Sequence, residues 1–134
     1  MYALLETSKF DIVQEDSHAD SWCLGADLAG WLCSKLIRKD RFLYRLGPTM
    51  EDWGWTLSFE INKVTCLLNI WAPVDSENVW VIQVVNKPSL LSRLSKEQIE
   101  EALVQMRGAL EEIGKQYPGI DDLQWSEIHP LDKV

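Results

Sequence analysis

The sequence predicts a single α+β domain over residues 1–134, a two-layer sandwich in which two helices pack on one face of a mainly antiparallel sheet. Two kinds of hydrophobic pattern predict this class. Residues 53–71 alternate apolar and polar side chains around a two-residue turn, which is typical of a β-hairpin. Residues 20–38 and 95–117 carry apolar side chains at steps of three and four, which is typical of helices with one buried face. A chain of 134 residues is long enough for one hydrophobic core.

The N-terminal part is predicted to contain short strands around the first helix. Residues 10–13 form a strand that continues, or pairs with, residues 2–6. The helix follows over residues 20–38, with acidic residues near its start and basic residues at its end, as the helix dipole favours. A short strand is expected over residues 41–46, before Gly47-Pro48. The apolar stripe of the helix consists of Leu24, Leu28, Trp31, Leu32 and Leu36.

The hairpin can be predicted with its register. Its turn is Asn62-Lys63, and asparagine tolerates the positive φ that a type I′ turn requires. A shift by one residue would place apolar side chains of one strand opposite polar side chains of the other, so the register is well specified. On the outer face, Gly54 then falls opposite Trp71, whose ring is expected to cover the glycine backbone. The pairs on the inner face are Ile61–Val64, Phe59–Cys66, Leu57–Leu68 and Trp55–Ile70.

The C-terminal part is predicted to contain a central strand, the second helix and a last strand. After a polar loop at residues 73–78, residues 79–85 are apolar on both faces, as a strand covered on two sides would be. A capping box and a hydrophobic staple within residues 94–99 mark the helix start. Residues 118–119, proline and glycine, end the helix. Residues 123–125 suggest a short last strand.

Charge and composition restrict the possible partners. The 13 basic and 21 acidic residues give a net charge of −8, which repels a phosphate backbone and attracts a basic protein. No apolar run approaches the roughly 20 residues that span a bilayer. The first residues lack the basic start and long apolar segment of a signal peptide. We therefore expect a cytoplasmic protein that binds neither nucleic acid nor membrane.

No arrangement of residues indicates a metal, a cofactor or an acid–base pair. His18 and His129 do not have the spacing of metal ligands, and the glycines form no phosphate-binding loop after a strand. Glu51 and Asp52 are adjacent at the entry to a strand, so their side chains are expected to point to opposite faces. A structural role, in which they accept hydrogen bonds from nearby backbone N–H groups, is expected for both carboxylates.

The cysteines suggest buried thiols and leave one enzymatic alternative. Cys23, Cys33 and Cys66 are odd in number and belong to no C-x-x-C pair, so they are expected to stay reduced. Cys23 lies five residues from His18 near a helix start, where the dipole would lower the pKa of its thiol. Convergence of His18, Asp20 and Cys23 in a cleft would favour an enzyme. A small apolar residue explains Cys23 equally well, and we expect no catalytic activity.

The candidate binding residues are tryptophans. Seven tryptophans are many for this length. Trp71 and Trp80 are expected on the sheet face opposite the two helices, here called the second face, and Trp22 on the first helix. Exposed tryptophans within an acidic rim would form a hot spot for a protein partner. Core burial is the alternative for each of the three.

Residues 48–55, Pro-Thr-Met-Glu-Asp-Trp-Gly-Trp, resemble a P-x-x-E-D-W-G-W segment of small uncharacterised bacterial proteins. In those proteins the segment also lies between a first helix and a β-hairpin, and the order of elements is similar from about Phe10 to Trp125. The resemblance implies a bacterial origin and no particular activity. The small, acidic α+β build is also similar to many immunity proteins of bacterial toxin systems.

The sequence therefore predicts a non-enzymatic module that binds another protein, of the inhibitor or toxin-immunity type. The first alternative is a small-ligand or sensor domain with a pocket between the helices and the sheet. The second alternative is an enzyme without a recognisable motif. A homodimer through the second face or through an edge strand is compatible with all three.

Overall fold

The computed structural model describes residues 1–7, 26–72, 79–87, 93–117 and 120–127. In chain order the elements are β1 (Tyr2–Thr7), α1 (Ala26–Leu36), β2 (Phe42–Glu51), β3 (Gly54–Ile61), β4 (Val64–Trp71), β5 (Val79–Asn86), α2 (Lys96–Gln116) and β6 (Ile120–Ser126). The six strands of the described residues form one sheet in the order β2-β3-β4-β5-β1-β6, and all five neighbouring pairs are antiparallel. The predicted α+β class is confirmed.

The hairpin β3–β4 has the predicted turn and register. Asn62 and Lys63 have φ values of 49° and 71°, as both central residues of a type I′ turn do. The turn therefore matches the right-handed twist of the two strands that it joins. All four predicted inner pairs are present, from Ile61–Val64 at the turn to Trp55–Ile70 at the far end.

The hydrophobic core lies between the two helices and the inner face of the sheet. Alternate residues of β3 and β4 point into this core, because successive side chains of a strand point to opposite faces. Helix α1 contacts β2 and β3, whereas α2 contacts β4, β5 and β6. Buried residues of both helices belong to one core cluster with the inner residues of the strands, so the two helices share one face, as predicted. The fully buried strand residues include Leu57, Phe59, Ile61, Val64, Cys66, Leu68, Ile70, Ile82 and Ala3.

Helix α2 begins as the sequence predicts. The Ser95 side chain accepts a hydrogen bond from the Gln98 backbone N–H at 3.1 Å, and the Gln98 side chain accepts one from the Ser95 N–H at 2.8 Å. This reciprocal pair satisfies two backbone donors that the first helical turn leaves unpaired. Leu94 and Ile99, the predicted staple, both pack against the core.

Strand β2 is longer than predicted, since it continues through Gly47-Pro48 to Glu51. A proline is tolerated here because β2 is an edge strand of the described sheet, where one row of its N–H groups faces no other described strand. The register shifts twice, between Tyr44 and Leu46 and between Leu46 and Thr49. Bulges and proline at an edge disfavour pairing with a further strand. The predicted strand at residues 10–13 and the first part of the predicted helix lie outside the described residues.

Candidate functional site

A row of hydrogen-bonded polar side chains crosses the second face. The hydroxyl of Thr56 donates to Oδ1 of Asn69 at 2.9 Å, and Nδ2 of Asn69 donates to Oε1 of Gln83 at 3.0 Å. Nε2 of Gln83 then donates to the hydroxyl of Tyr2 at 3.1 Å. These four residues are direct register partners on β3, β4, β5 and β1. The row therefore fixes the positions of two side-chain amides on the surface of the sheet.

Each of the two amides has hydrogen-bonding capacity left. A side-chain amide has two N–H donors and two acceptor lone pairs on its oxygen. Asn69 uses one donor and one lone pair within the row, and so does Gln83. One donor and one lone pair of each amide thus remain for a ligand. Because the row holds both amides in place, a ligand would meet an ordered polar floor.

Two tryptophan rings stand beside this floor. Trp71 is two residues from Asn69 on β4 and therefore lies on the same face. Its ring packs edge-to-face against Trp53, with the centroids 6.1 Å apart and the planes at 87°. Trp53, Trp71, Asn69 and Gln83 line a pocket of about 300 Å³. This volume lies at the lower end of the range of small-molecule sites.

Gly54 permits the close packing at the base of this tryptophan pair. A Cβ atom at Gly54 would lie 2.1 Å from the backbone oxygen of Ile70 and 3.0 Å from Cβ of Trp71. Any larger residue would therefore push β3 away from β4 at the edge of the pocket. The predicted position of Gly54 opposite Trp71 agrees with these contacts.

Trp53 is a site residue that the sequence analysis did not propose, as are Asn69 and Gln83. The alternation of apolar and polar residues from residue 53 onward predicted that Trp53 is part of the strand and lies on its inner face together with Trp55. In the structure Asp52 and Trp53 form the turn between β2 and β3, and β3 begins only at Gly54. The turn brings the indole ring against Trp71, and the Trp53 side chain is 49% exposed. The acidic residues and the glycine around Trp53 were the available signal for a turn.

The two carboxylates before Trp53 lie at this end of the sheet. Glu51 pairs with Gly54 in the register of β2 and β3, whereas the neighbouring pair contains Trp55, which packs against the core. Since side chains alternate along a strand, Glu51 belongs to the second face. Asp52 is in the turn, and both residues are exposed. They add negative charge next to the tryptophan pair.

Of the predicted binding residues, Trp71 lies in the pocket and Trp80 does not. The placement of Trp80 on the second face is wrong, because its side chain is 0% exposed and belongs to the hydrophobic core. It pairs with Leu5, another core residue. Strand β5 is apolar on both faces, so its pattern does not show which residues point inward. The pairing of Val81 with Trp71 places Val81 on the second face instead.

The remaining predicted site residues lie outside the described residues. They are Trp22, the third binding candidate, and His18, Asp20, Cys23 and His129 from the enzymatic and metal-binding alternatives. In the described part of the chain, no group of three or more His, Cys, Asp or Glu side chains could hold a metal ion.

One gap between the helices and the sheet is lined by described residues. It has a volume of about 10 Å³, which is close to the minimum for one water molecule. The small-ligand alternative placed its pocket between these layers, and it stays a prediction. The residues that line the small gap are Leu5, Trp31, Leu32, Ile82, Leu110, Ile113, Gly114 and Leu123.

The two described thiols are buried and free, and we expect them to be unreactive in the folded protein. Burial raises the pKa of the Cys66 thiol from 9.0 to about 11 and also raises the pKa of Cys33. At pH 8 few thiolates form, so Ellman's reagent should react much more slowly with the folded than with the unfolded Cys23→Ser variant. Equal rates for the folded and the unfolded variant would contradict this expectation.

The raised pKa of Cys66 also makes stability depend on pH. The pKa of this thiol is higher in the folded than in the unfolded protein, so its contribution to stability is fully present below pH 9 and is lost as the pH rises towards 11.

Comparisons with family models, with curated proteins and with solved structures found no match to this chain. No helix in the described part is both long enough and apolar enough to cross a membrane. Inferences about function therefore depend on the geometry and charge of the second face.

Proposed function

We propose that this chain is a non-enzymatic protein-binding module that holds a basic partner through the second face, as an inhibitor or toxin-immunity factor would. The observation that carries the proposal is the edge-to-face pair of Trp53 and Trp71 beside an ordered amide floor. Tryptophan is among the residues enriched at the energetic centres of protein interfaces. Trp53 lies in a turn and its side chain is 49% exposed, so it contributes less to folding than a core residue does. This exposure suits a role in binding.

Charge supports a basic partner. The net charge is −8, and Glu51 and Asp52 are exposed directly before Trp53. Opposite charges on two proteins accelerate their encounter and restrict the choice of partner. An acidic rim around an aromatic centre would therefore favour a positively charged surface over a neutral or an acidic one.

Substitution of Trp53 tests the proposal. The tagged chain is used to capture its partner from native cells, and the affinity of the identified partner is then measured by calorimetry. Trp53→Ala should raise Kd by at least about 30-fold, the effect of a hot-spot residue, with a small change in Tm. Val104→Ala is the matched control, because Val104 is 62% exposed on α2, away from the second face, and should leave Kd unchanged.

Two outcomes of this experiment would contradict the proposal. An equal Kd for Trp53→Ala and Val104→Ala would show that the partner binds elsewhere. A fall in Tm that accounts for the whole loss of binding would show that Trp53 acts through folding. Either result would contradict binding through the tryptophan pair.

A further inference from the structure

The pocket on the second face has the chemistry of a cation site. None of the four described residues that line it carries a formal charge. The faces of the Trp53 and Trp71 rings carry negative potential, which attracts Lys, Arg and other cations. The oxygens of Asn69 and Gln83 each keep one acceptor lone pair beside these rings. A cationic N–H donor would thus find aromatic faces and acceptors in one place.

Nearby charges favour a cation over an anion or a neutral ligand. Asp52 precedes Trp53 directly, and Glu51 lies on the same face of the sheet. The whole chain adds a negative field with its net charge of −8. An anionic ligand would be repelled by these charges, and a neutral ligand would not use them.

We infer that the pocket takes an arginine side chain that the basic partner presents, an inference that rests on the proposed function. Arginine fits better than lysine because its planar guanidinium stacks on indole rings. Its five N–H donors lie in one plane, so it can stack on a ring and still donate to the amide oxygens of Asn69 and Gln83. The polar row from Thr56 to Tyr2 holds those oxygens in position before the partner arrives.

A peptide titration followed by NMR tests the inference with the whole chain. The probe is an acetylated and amidated Gly-Gly-Arg-Gly-Gly peptide, and the readout is the indole N–H signals of Trp53 and Trp71. The matched peptide replaces arginine by citrulline, which has nearly the same shape and no charge. The arginine peptide should shift both signals in a saturable way. Its Kd should be at least about fivefold lower than that of the citrulline peptide, the size of a modest cation–π interaction.

Two pairs of variants separate the pocket from the general charge of the protein. Trp53→Ala should abolish the saturable shift of the Trp71 signal, whereas Val104→Ala should preserve it. Asp52→Asn should weaken binding of the arginine peptide more than Glu101→Gln does. Both changes remove one negative charge, but Glu101 is an exposed acid on α2, whereas Asp52 is next to Trp53. Added salt should reduce the difference between the two charge variants.

Equal binding of the arginine and citrulline peptides would overturn the inference, because recognition would then not depend on charge. An absence of shifts at Trp53 and Trp71 would overturn it too. If the partner still loses affinity with Trp53→Ala in that case, the proposed function stands and only the arginine site fails. If the peptide binds as expected but Trp53→Ala leaves the Kd of the partner unchanged, the arginine site stands and the proposed function fails.

Discussion

Phe59→Ala is expected to lower the free energy of unfolding by about 3–5 kcal/mol, the usual cost of removing a large aromatic side chain from a core. Phe59 is 0% exposed on β3, an interior strand of the sheet. Its ring contacts Phe42 at a centroid distance of 6.3 Å and Tyr44 at 5.9 Å. Both neighbours come from β2, so the cavity would also weaken the attachment of this edge strand.

Urea denaturation followed by tryptophan fluorescence measures this loss. Domains of this kind have a total stability of about 5–15 kcal/mol, so the midpoint should fall by a large fraction of its value. Val104→Ala shortens a side chain that is 62% exposed and should change stability by less than about 0.5 kcal/mol. A similar midpoint for the two variants would mean that Phe59 is not part of the core.

Gly54→Ala is expected to destabilise the protein by about 1–3 kcal/mol, the usual cost of overpacking. The added Cβ would lie 2.1 Å from the backbone oxygen of Ile70, and a backbone atom cannot move aside as a flexible side chain can. The first residues of β3 would have to separate from β4. Because Trp71 is the residue after Ile70, its contact with Trp53 should be disturbed as well.

Gly108→Ala is the matched control for this substitution. Gly108 is in α2, and a Cβ there would meet no atom within 4 Å. Alanine has a higher helix propensity than glycine, so this variant should gain up to about 1 kcal/mol. Opposite shifts of Tm for the two glycines are therefore expected in thermal denaturation. A gain in Tm for Gly54→Ala would contradict the close approach of the two strands.

Where neighbouring residues decide the structure, the sequence was a reliable guide. The register of β3 and β4 followed from a two-residue turn and an alternating pattern, in which a shift of one residue would expose the apolar set. The start of α2 followed from Ser95 and Gln98, because a capping box contains all its partners within four residues. These features depend on contacts between residues that are close in the chain.

Only the tertiary structure decided the composition of the candidate site. The pattern of β5 is apolar on both faces, so the burial of Trp80 and the outward position of Gln83 depended on how β5 pairs with β1 and β4. Trp53 reached the second face through a turn that interrupted the apparent alternation. The hydrogen bond from Gln83 to Tyr2 joins residues separated by 81 positions. The sequence by itself determined the register of the hairpin, the start of α2 and the acidic charge. The pocket required the order of the strands, because it is the pairing of distant strands that brings its residues together.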